Sequence, residues 1–428
     1  MYTITNIKIT GFWGTHQLST KLNRDVNFFI GPNGSGKTTA INMVAAALNA
    51  DFRTLDTLSF DKISIDLKDT DTNDKALIEI SKVLHEKTPF PEITYHIKDK
   101  STDNKIVDYS LNSYEEQLSF REYPLLRTST RYFRTHPRAD MSEHLKRLIS
   151  VNWLSIHRAE KSRTSEQRSY ESTVDQKLDD LSREFAGFFS QINKQSENAA
   201  NVFQQNAFLS LISQQTEKDL YEIIPSMVTE TERKALVDIF LKFNVDQAIF
   251  SPQINKHFEL FESARERLLV KRKKLDNNNV IALITMLRVH LVVQQWLSLL
   301  QKQEQIFEPR NTFLKIMNSM LLGKTVEIND RNQFVAKVNP NKTFTLQQLS
   351  SGEKQLFIIL GEALLQQKAP WIYIADEPEL SLHVDWQTQL IDSLLHINPN
   401  AQFIVATHSP DIVSHYSTNI INMEDIIK

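Results

Sequence analysis

The apolar positions divide the chain into two ends of one character and a middle of another. Near the start, "VNFFIGPNGSGKTTAINMVAAAL" (26–48) reads as a continuous apolar strand, a Gly-rich turn and an amphipathic helix. Near the end, "WIYIADEPE" (371–379) is a second continuous apolar run that closes on carboxylates, the pattern of a strand buried on both faces of a parallel sheet. Just before it, "LQQLSSGEKQLFIILGEALL" (346–365) opens on a serine pair and a glycine and continues as a long apolar-periodic helix. Ser350 or Ser351 can cap that helix, which leaves its free N–H groups and positive end facing outward.

From 171 to 310 strand alternation is missing, and Gly and Pro are nearly absent. Val174, Leu178, Leu181, Phe185, Phe188 and Ile192 recur at alternating spacings of four and three, a heptad seam. Helical patterns return around Phe258, Phe261 and Leu268 and from Ile281 to Leu300, with a turn at "LDNNN" (275–279) and a solvated helix end at "KRKK" (271–274). The pattern predicts an α/β body built from residues 1–170 and 311–428. Between them it predicts a compact helical insertion, 171–310, that includes a short antiparallel coiled-coil arm.

At 428 residues the chain is too long for one ordinary core, which suits a body plus an insertion. The 41% hydrophobic and 24% charged residues are those of a globular protein. No stretch approaches the roughly 20 uninterrupted apolar residues of a membrane helix, and "MYTITNIKIT" lacks the layout of a signal peptide. With no cysteine there is neither a disulfide framework nor a thiolate metal site, so a cytoplasmic protein without a membrane partner is expected. A net charge of −3 gives no overall pull toward nucleic acid. Residues 121–168 stand apart, with eleven Lys/Arg against five acids, and "RTSTRYFRTHPR" (127–138) interleaves aromatics with arginines. Such a surface suits nucleic acid or an acidic protein; intramolecular pairing and ordinary solvation account for it as well.

Glycine changes the picture most. There are 9, about 2% against a usual ~7%, and four of them (Gly31, Gly34, Gly36 and Gly352) fall in two short motifs. "GPNGSGKT" fits G-x-x-x-x-G-K-[ST] at every fixed position. Gly31, Pro32, Asn33, Gly34, Ser35 and Gly36 form a turn whose N–H groups can curl around phosphate oxygens at the start of a helix that carries Lys37, Thr38 and Thr39. Lys37 would reach the β- and γ-phosphates of ATP, and Thr38 would bind Mg²⁺. The carboxylates that close the second strand need a cation to offset their burial, and Mg²⁺ supplies it. Asp376 would hold the ion, directly or through water, on a parallel strand expected beside the phosphate loop. Glu377 would orient and deprotonate the attacking water, and Glu379 is expected to be structural or solvated.

"LSSGEKQ" (349–355) resembles the LSGGQ signature of ABC-type ATPases, with Ser351 for the first Gly and Glu353 for Gln. Together with "DEPELSLH" (376–383) and "IVATHSP" (404–410), in the same order and spacing, it resembles the RecF, SMC and OLD branch of those ATPases, and "EPELSLH" and "THSP" are similar to its OLD-like group. The resemblance implies an ABC-type head, Mg²⁺-dependent ATP hydrolysis and dimerisation through the nucleotide sites. Ser350, Ser351 and Gly352 would then contact ATP bound by a second copy, Ser381 and Leu382 would lie in the loop crossing that interface, and His408 would be the switch histidine at the γ-phosphate. No glutamine loop is evident; Gln117 stands as its candidate. The insertion is far too short for the long arms of SMC proteins, and without Cys it lacks a zinc hook.

The plan is similar to the ATPase subunits of the PARIS and, less closely, Septu anti-phage systems. This implies a sensor or scaffold that controls a separate effector of nuclease or Toprim type, with a phage protein or nucleic acid at 121–168. The alternative is a RecF-like DNA-repair ATPase that clamps duplex DNA. A Toprim domain needs on the order of 100 residues, whereas 20 residues follow His408, read as a strand and helix that close the head. The chain is therefore expected to have no nuclease of its own.

Overall fold

The computed structural model describes residues 2–84, 91–103, 105–110, 137–154, 173–212, 221–269, 276–339 and 342–428. It divides into two compact units, Met1–Phe185 with Thr312–Lys428 and Ala186–Asn311. The first opens with β1 (Tyr2–Phe12), β2 (His16–Lys21), β3 (Val26–Ile30), α1 (Lys37–Leu48) and α2 (Phe52–Thr57). There follow β4 (Lys62–Asp69), β5 (Lys75–Val83), β6 (Glu92–Lys98), β7 (Ile106–Ser110), α3 (Pro137–Leu148) and β8 (Val151–Leu154). Four long helices come next: α4 (Thr173–Ile212), α5 (Thr229–Lys242), α6 (Gln247–Leu269) and α7 (Asn277–Met320). The chain ends with β9 (Thr325–Ile328), β10 (Phe334–Asn339), β11 (Lys342–Phe344), α8 (Ser351–Leu365), β12 (Ile372–Asp376), α9 (Val384–Ile397), β13 (Gln402–Ala406), α10 (Pro410–Val413), β14 (Ile420–Asn422) and α11 (Met423–Ile426).

Two sheets enclose α1. One has six strands in the order β2-β1-β4-β5-β6-β7, and the other five in the order β14-β3-β13-β12-β8. The first is antiparallel and buries alternate residues, such as Ile63, Ile65 and Leu67 of β4, as a one-sided sheet should. Pairing in the second is parallel throughout, and β12 and β13 are buried almost end to end. Helix α1, "KTTAINMVAAAL", buries nearly every residue, because small apolar side chains all round let it pack on two faces. Ile41, Val44 and Ala47 share one core with Ile7, Ile63 and Ile78 of the antiparallel sheet and with Phe29, Ile372 and Ile404 of the parallel one.

The register sets the chemistry. Asp376 pairs with Ala406, and Ala406 with Phe29, so β12, β13 and β3 end level and their loops leave from one edge. Ligands of open α/β sheets bind at such carboxyl ends. β12 is a parallel strand, and β13 lies between it and β3. Parallel strands are joined by crossovers, so adjacency in a sheet does not follow from adjacency of motifs. The last residues form β14 and α11, with β14 paired to β3.

Within this unit the start of α4 packs on α8. Gly361 makes room for it, since a Cβ there would sit 2.8 Å from the Phe185 ring. Phe185, Phe313, Phe334 and Phe357 form an aromatic cluster, with ring centroids 4.8 to 6.0 Å apart. Lys354 pairs with Asp175 and Lys177 with Glu362, each at 2.7 Å.

The described residues of the second unit form helices joined by short turns, with no strand among them. The seam positions Phe188 and Ile192 are buried, as are Leu178, Leu181 and Phe185 in the first unit. Helix α5 joins two cores, one with Phe250, Phe258 and Leu287 and one with Phe203, Val293 and Trp296. Helix α7 begins earlier than predicted: Asp276 accepts the Asn279 N–H at 2.8 Å, and 277–279 are already helical. One window of α7 has the length and mean hydropathy of a membrane span. Within that window 28% of the residues are buried in the protein, namely Leu283, Met286, Leu287, Val293 and Trp296. "KRKK" at 271–274 lies outside the described residues.

Candidate nucleotide-binding site

The loop between β3 and α1 is held by glycines. Gly31, Gly34 and Gly36 have φ of 151°, 81° and 90°, where L side chains are disfavoured. Gly36 has a second reason: a Cβ there would lie 2.8 Å from the Trp13 ring and 2.9 Å from that of Phe12. Lys37 is 5% exposed, and its ammonium donates to the carbonyls of Gly31 (2.8 Å) and Pro32 (3.1 Å). Burial pushes the Lys37 ammonium below its usual range, while Glu377 and Asp376 pull the other way. The Ser35 hydroxyl is buried without a hydrogen-bond partner among the described residues. Pro32, Asn33 and Gly34 face outward, and Thr39 is half-buried on the first turn of α1.

Thr38 Oγ1 donates to Asp376 Oδ1 at 2.9 Å, so the ends of β12 and α1 meet although β13 lies between their strands. A hydroxyl and a carboxylate oxygen side by side are hard donors, the type Mg²⁺ selects. An orphaned Ser35 hydroxyl and a lysine held on loop carbonyls likewise suit a phosphate ligand. Glu377, at φ 47°, donates its N–H to the Ala406 carbonyl (2.8 Å), and its Oε1 lies 3.7 Å from His408 Nε2. Lys37, Thr38, Asp376, Glu377 and His408 thus stand at one edge.

The 349–355 motif starts α8. Ser350 caps it: its hydroxyl accepts the Glu353 N–H, and Glu353 accepts the Ser350 N–H at 2.8 Å. Ser350 and Ser351 are exposed, whereas Gly352 is buried. A Cβ on Gly352 would sit 2.5 Å from the Ser381 carbonyl, so this glycine has a reason within its own chain. Ser381 is exposed at φ 72°, but Leu382 is 6% exposed and belongs to the chain's own core. Among the described residues no hydrogen bond links Ser350, Ser351 or Gly352 to the loop at 31–38.

Three residues of this region escaped sequence reasoning or were left without a part. Trp13, on the turn after β1, is 44% exposed at φ 55°, with its ring against Gly36; an aromatic before a glycine turn was the available signal. Lys324 donates to both Glu353 oxygens, at 2.9 and 2.8 Å, and no sequence signal linked the two. Glu379 is buried against 407–409. Gln117 lies outside the described residues, as does most of 121–168, of which 137–154 are described.

A glycine loop with a buried lysine, feeding a helix between two sheets, defines a P-loop ATPase domain of mixed α/β architecture. Residues 26–414 match the family described as "AAA domain, putative AbiEii toxin, Type IV TA system", and the chain belongs to that family. Among curated proteins it is similar to the "Retron Vc95 probable ATPase" of Vibrio cholerae serotype O1 biovar El Tor, 23% identical over 44% of this chain and 36% of that protein. It is also similar to the "Septu protein PtuA" of Bacillus mycoides (strain KBAB4), 26% identical over 34% of this chain and 21% of that one. The matched segments thus span about a third of the first relative and a fifth of the second. Solved structures with a similar course include the Smc head domain with an extended coiled coil from Pyrococcus furiosus (TM-score 0.41, 14% identity, 99% of this chain and 93% of that one). Another is the Smc head domain with a coiled coil and joint from Pyrococcus yayanosii (TM-score 0.41, 13% identity, 99% and 95%).

Proposed function

We propose that the chain binds Mg²⁺ and ATP at residues 31–39 and hydrolyses the terminal phosphate, in a site completed by a second copy. The observation that carries this reading is the convergence of Thr38 on Asp376 (2.9 Å) and of Glu377 on His408 (3.7 Å) beside Lys37. Lys37 exchanges its loop carbonyls for phosphate oxygens and meets the ligand where its charge is greatest. Thr38 and Asp376 hold the ion, which when bound neutralises phosphate charge. Glu377 takes a proton from the attacking water, and His408 faces the γ-phosphate beside it. Trp13 offers its exposed face to the base.

Ser350 and Ser351, exposed at the start of α8, present free N–H groups to the nucleotide of the second copy. The head then comprises 1–170 and 311–428, with 171–310 as its insertion, in a cytoplasmic protein. The names of the relatives, a retron ATPase and a Septu protein, support a place in anti-phage defence, where the ATP cycle controls a separate effector protein.

The test is direct. Lys37→Ala abolishes tight ATP binding, and Glu377→Gln keeps binding but stalls turnover and accumulates the ATP-bound dimer. Wild-type turnover in Glu377→Gln would remove the base assignment.

A further inference from the structure

Of the carboxylates at 376–379, Glu379 alone has no part in the chemistry above. It is 7% exposed, and a buried carboxylate costs free energy unless hydrogen bonds offset it. One oxygen is well served. Oε1 accepts from the Thr407 hydroxyl at 2.5 Å, the His408 N–H at 3.2 Å and the Ser409 N–H at 3.3 Å. The other, Oε2, is buried with no hydrogen-bond partner among the described residues. Packing alone does not explain such a group, since an apolar side chain would fill the space without an orphaned oxygen.

Its place in the fold does explain it. Glu377 and Glu379 leave β12 on one turn, in which the Leu380 N–H meets the Glu377 carbonyl at 3.2 Å and the Leu382 N–H meets that of Glu379 at 2.9 Å. Residues 407–409 leave the neighbouring β13. All three donors to Glu379 come from that second segment, and the middle one is the backbone of His408 itself. Ser409 is tied further, its hydroxyl donating to Gln387 at 2.7 Å.

We propose that Glu379 is the positioning residue that sets His408 against Glu377, by binding the backbone of the histidine's segment to the turn that carries the base. The proposal rests on the reading in which Glu377 and His408 act on ATP. Glu379 touches no reacting atom; it fixes the distance between two groups that do. Glutamine at 379 keeps the size and one oxygen for the three donors but removes the charge, so their bonds to a carboxylate become weaker bonds to a neutral amide.

The experiment uses the full chain and measures kcat, KM and the affinity for a non-hydrolysable ATP analogue in Glu379→Gln, His408→Ala and the double variant. Loss of positioning lowers kcat about tenfold or more, with nucleotide affinity within about twofold of wild type. Groups that act as a unit are non-additive, so Glu379→Gln adds little once His408 is gone. An equal loss in both backgrounds, or a loss of affinity that matches the loss of kcat, overturns the proposal. If His408→Ala turns over at the wild-type rate, the role given to His408 in hydrolysis fails instead, and the hold is then judged without turnover. Its readout is the imidazole NMR signals of His408, assigned by comparison with His408→Ala, which move in Glu379→Gln; unmoved signals overturn the proposal whatever the kinetics. Should Glu379→Gln not fold, Thr407→Val removes one of the three donors and keeps the carboxylate. It then produces the same signal shift and a smaller fall in kcat, and no change in either counts against the hold.

Discussion

At the scale of single residues, the site is made by side chains whose surroundings give them a second task. Lys37 is desolvated and held on carbonyls, which in the proposed site it would exchange for phosphate oxygens. Trp13 is an exposed indole at a left-handed φ, a conformation that costs a bulky residue free energy and persists where something over-determines it. Its neighbours supply that constraint, with the Phe12 ring 4.7 Å away and Gly36 beneath. If Trp13 stacks the base, Trp13→Ala weakens ATP binding by about tenfold, since base–aromatic stacking contributes ~1–3 kcal/mol. Inorganic triphosphate, which has no base, binds both proteins alike. Titration calorimetry with the two ligands decides it, and equal ATP affinities would place the base elsewhere.

At the scale of elements, the start of α8 combines a capping box with an ion pair. Burial pushes the Glu353 carboxyl up, but hydrogen bonds from Lys324 and Ser350 outweigh this and leave it below the usual carboxylate range. A folded-state value below the unfolded one means that the unfolded chain binds the proton first as pH falls. The stabilisation is therefore fully present above the ordinary value of about 4.3 and is lost as pH falls through the folded value. The stability gap between wild type and Glu353→Gln, read from denaturant midpoints, shrinks between neutral pH and about pH 3. A gap independent of pH would refute the pairing as its source. Two buried glycines mark the same helix: Gly352 admits the Ser381 carbonyl and Gly361 admits Phe185.

At the scale of the molecule, a site shared between copies has a signature that no single-chain site shows. Ser350→Arg puts a bulky cation at the exposed start of α8, so each chain still binds ATP but the pair cannot close. Mixed with Lys37→Ala, such chains assemble dimers in which one of two sites has an intact loop facing an intact serine. Turnover, absent from either variant alone, returns in the mixture to at most about half the wild-type level per dimer, one site of two. A mixture as inactive as its components would argue for a site complete within one chain.

Sequence alone determined what local chemistry dictates. A buried parallel strand must be apolar throughout, so β3 and β12 were legible as runs; a phosphate turn needs glycine at left-handed φ, so Gly31, Gly34 and Gly36 announced it. The heptad seam and the long helices of the insertion followed from spacing in the same way. The motif-centred reading left out the six-stranded antiparallel sheet, although the alternation of Ile63, Ile65 and Leu67 was its available signal. Only the tertiary structure decided that β13 separates β3 from β12, because strand order is a property of crossovers and not of any one run. Only it turned Leu382 inward, gave Gly352 a neighbour in its own chain and set Trp13 over Gly36. Glu379 is the plainest case. One carboxylate in D-E-P-E looks like another until the fold buries it against three donors of a segment 28 to 30 residues away, and no local pattern encodes a contact made by two strands meeting in a sheet.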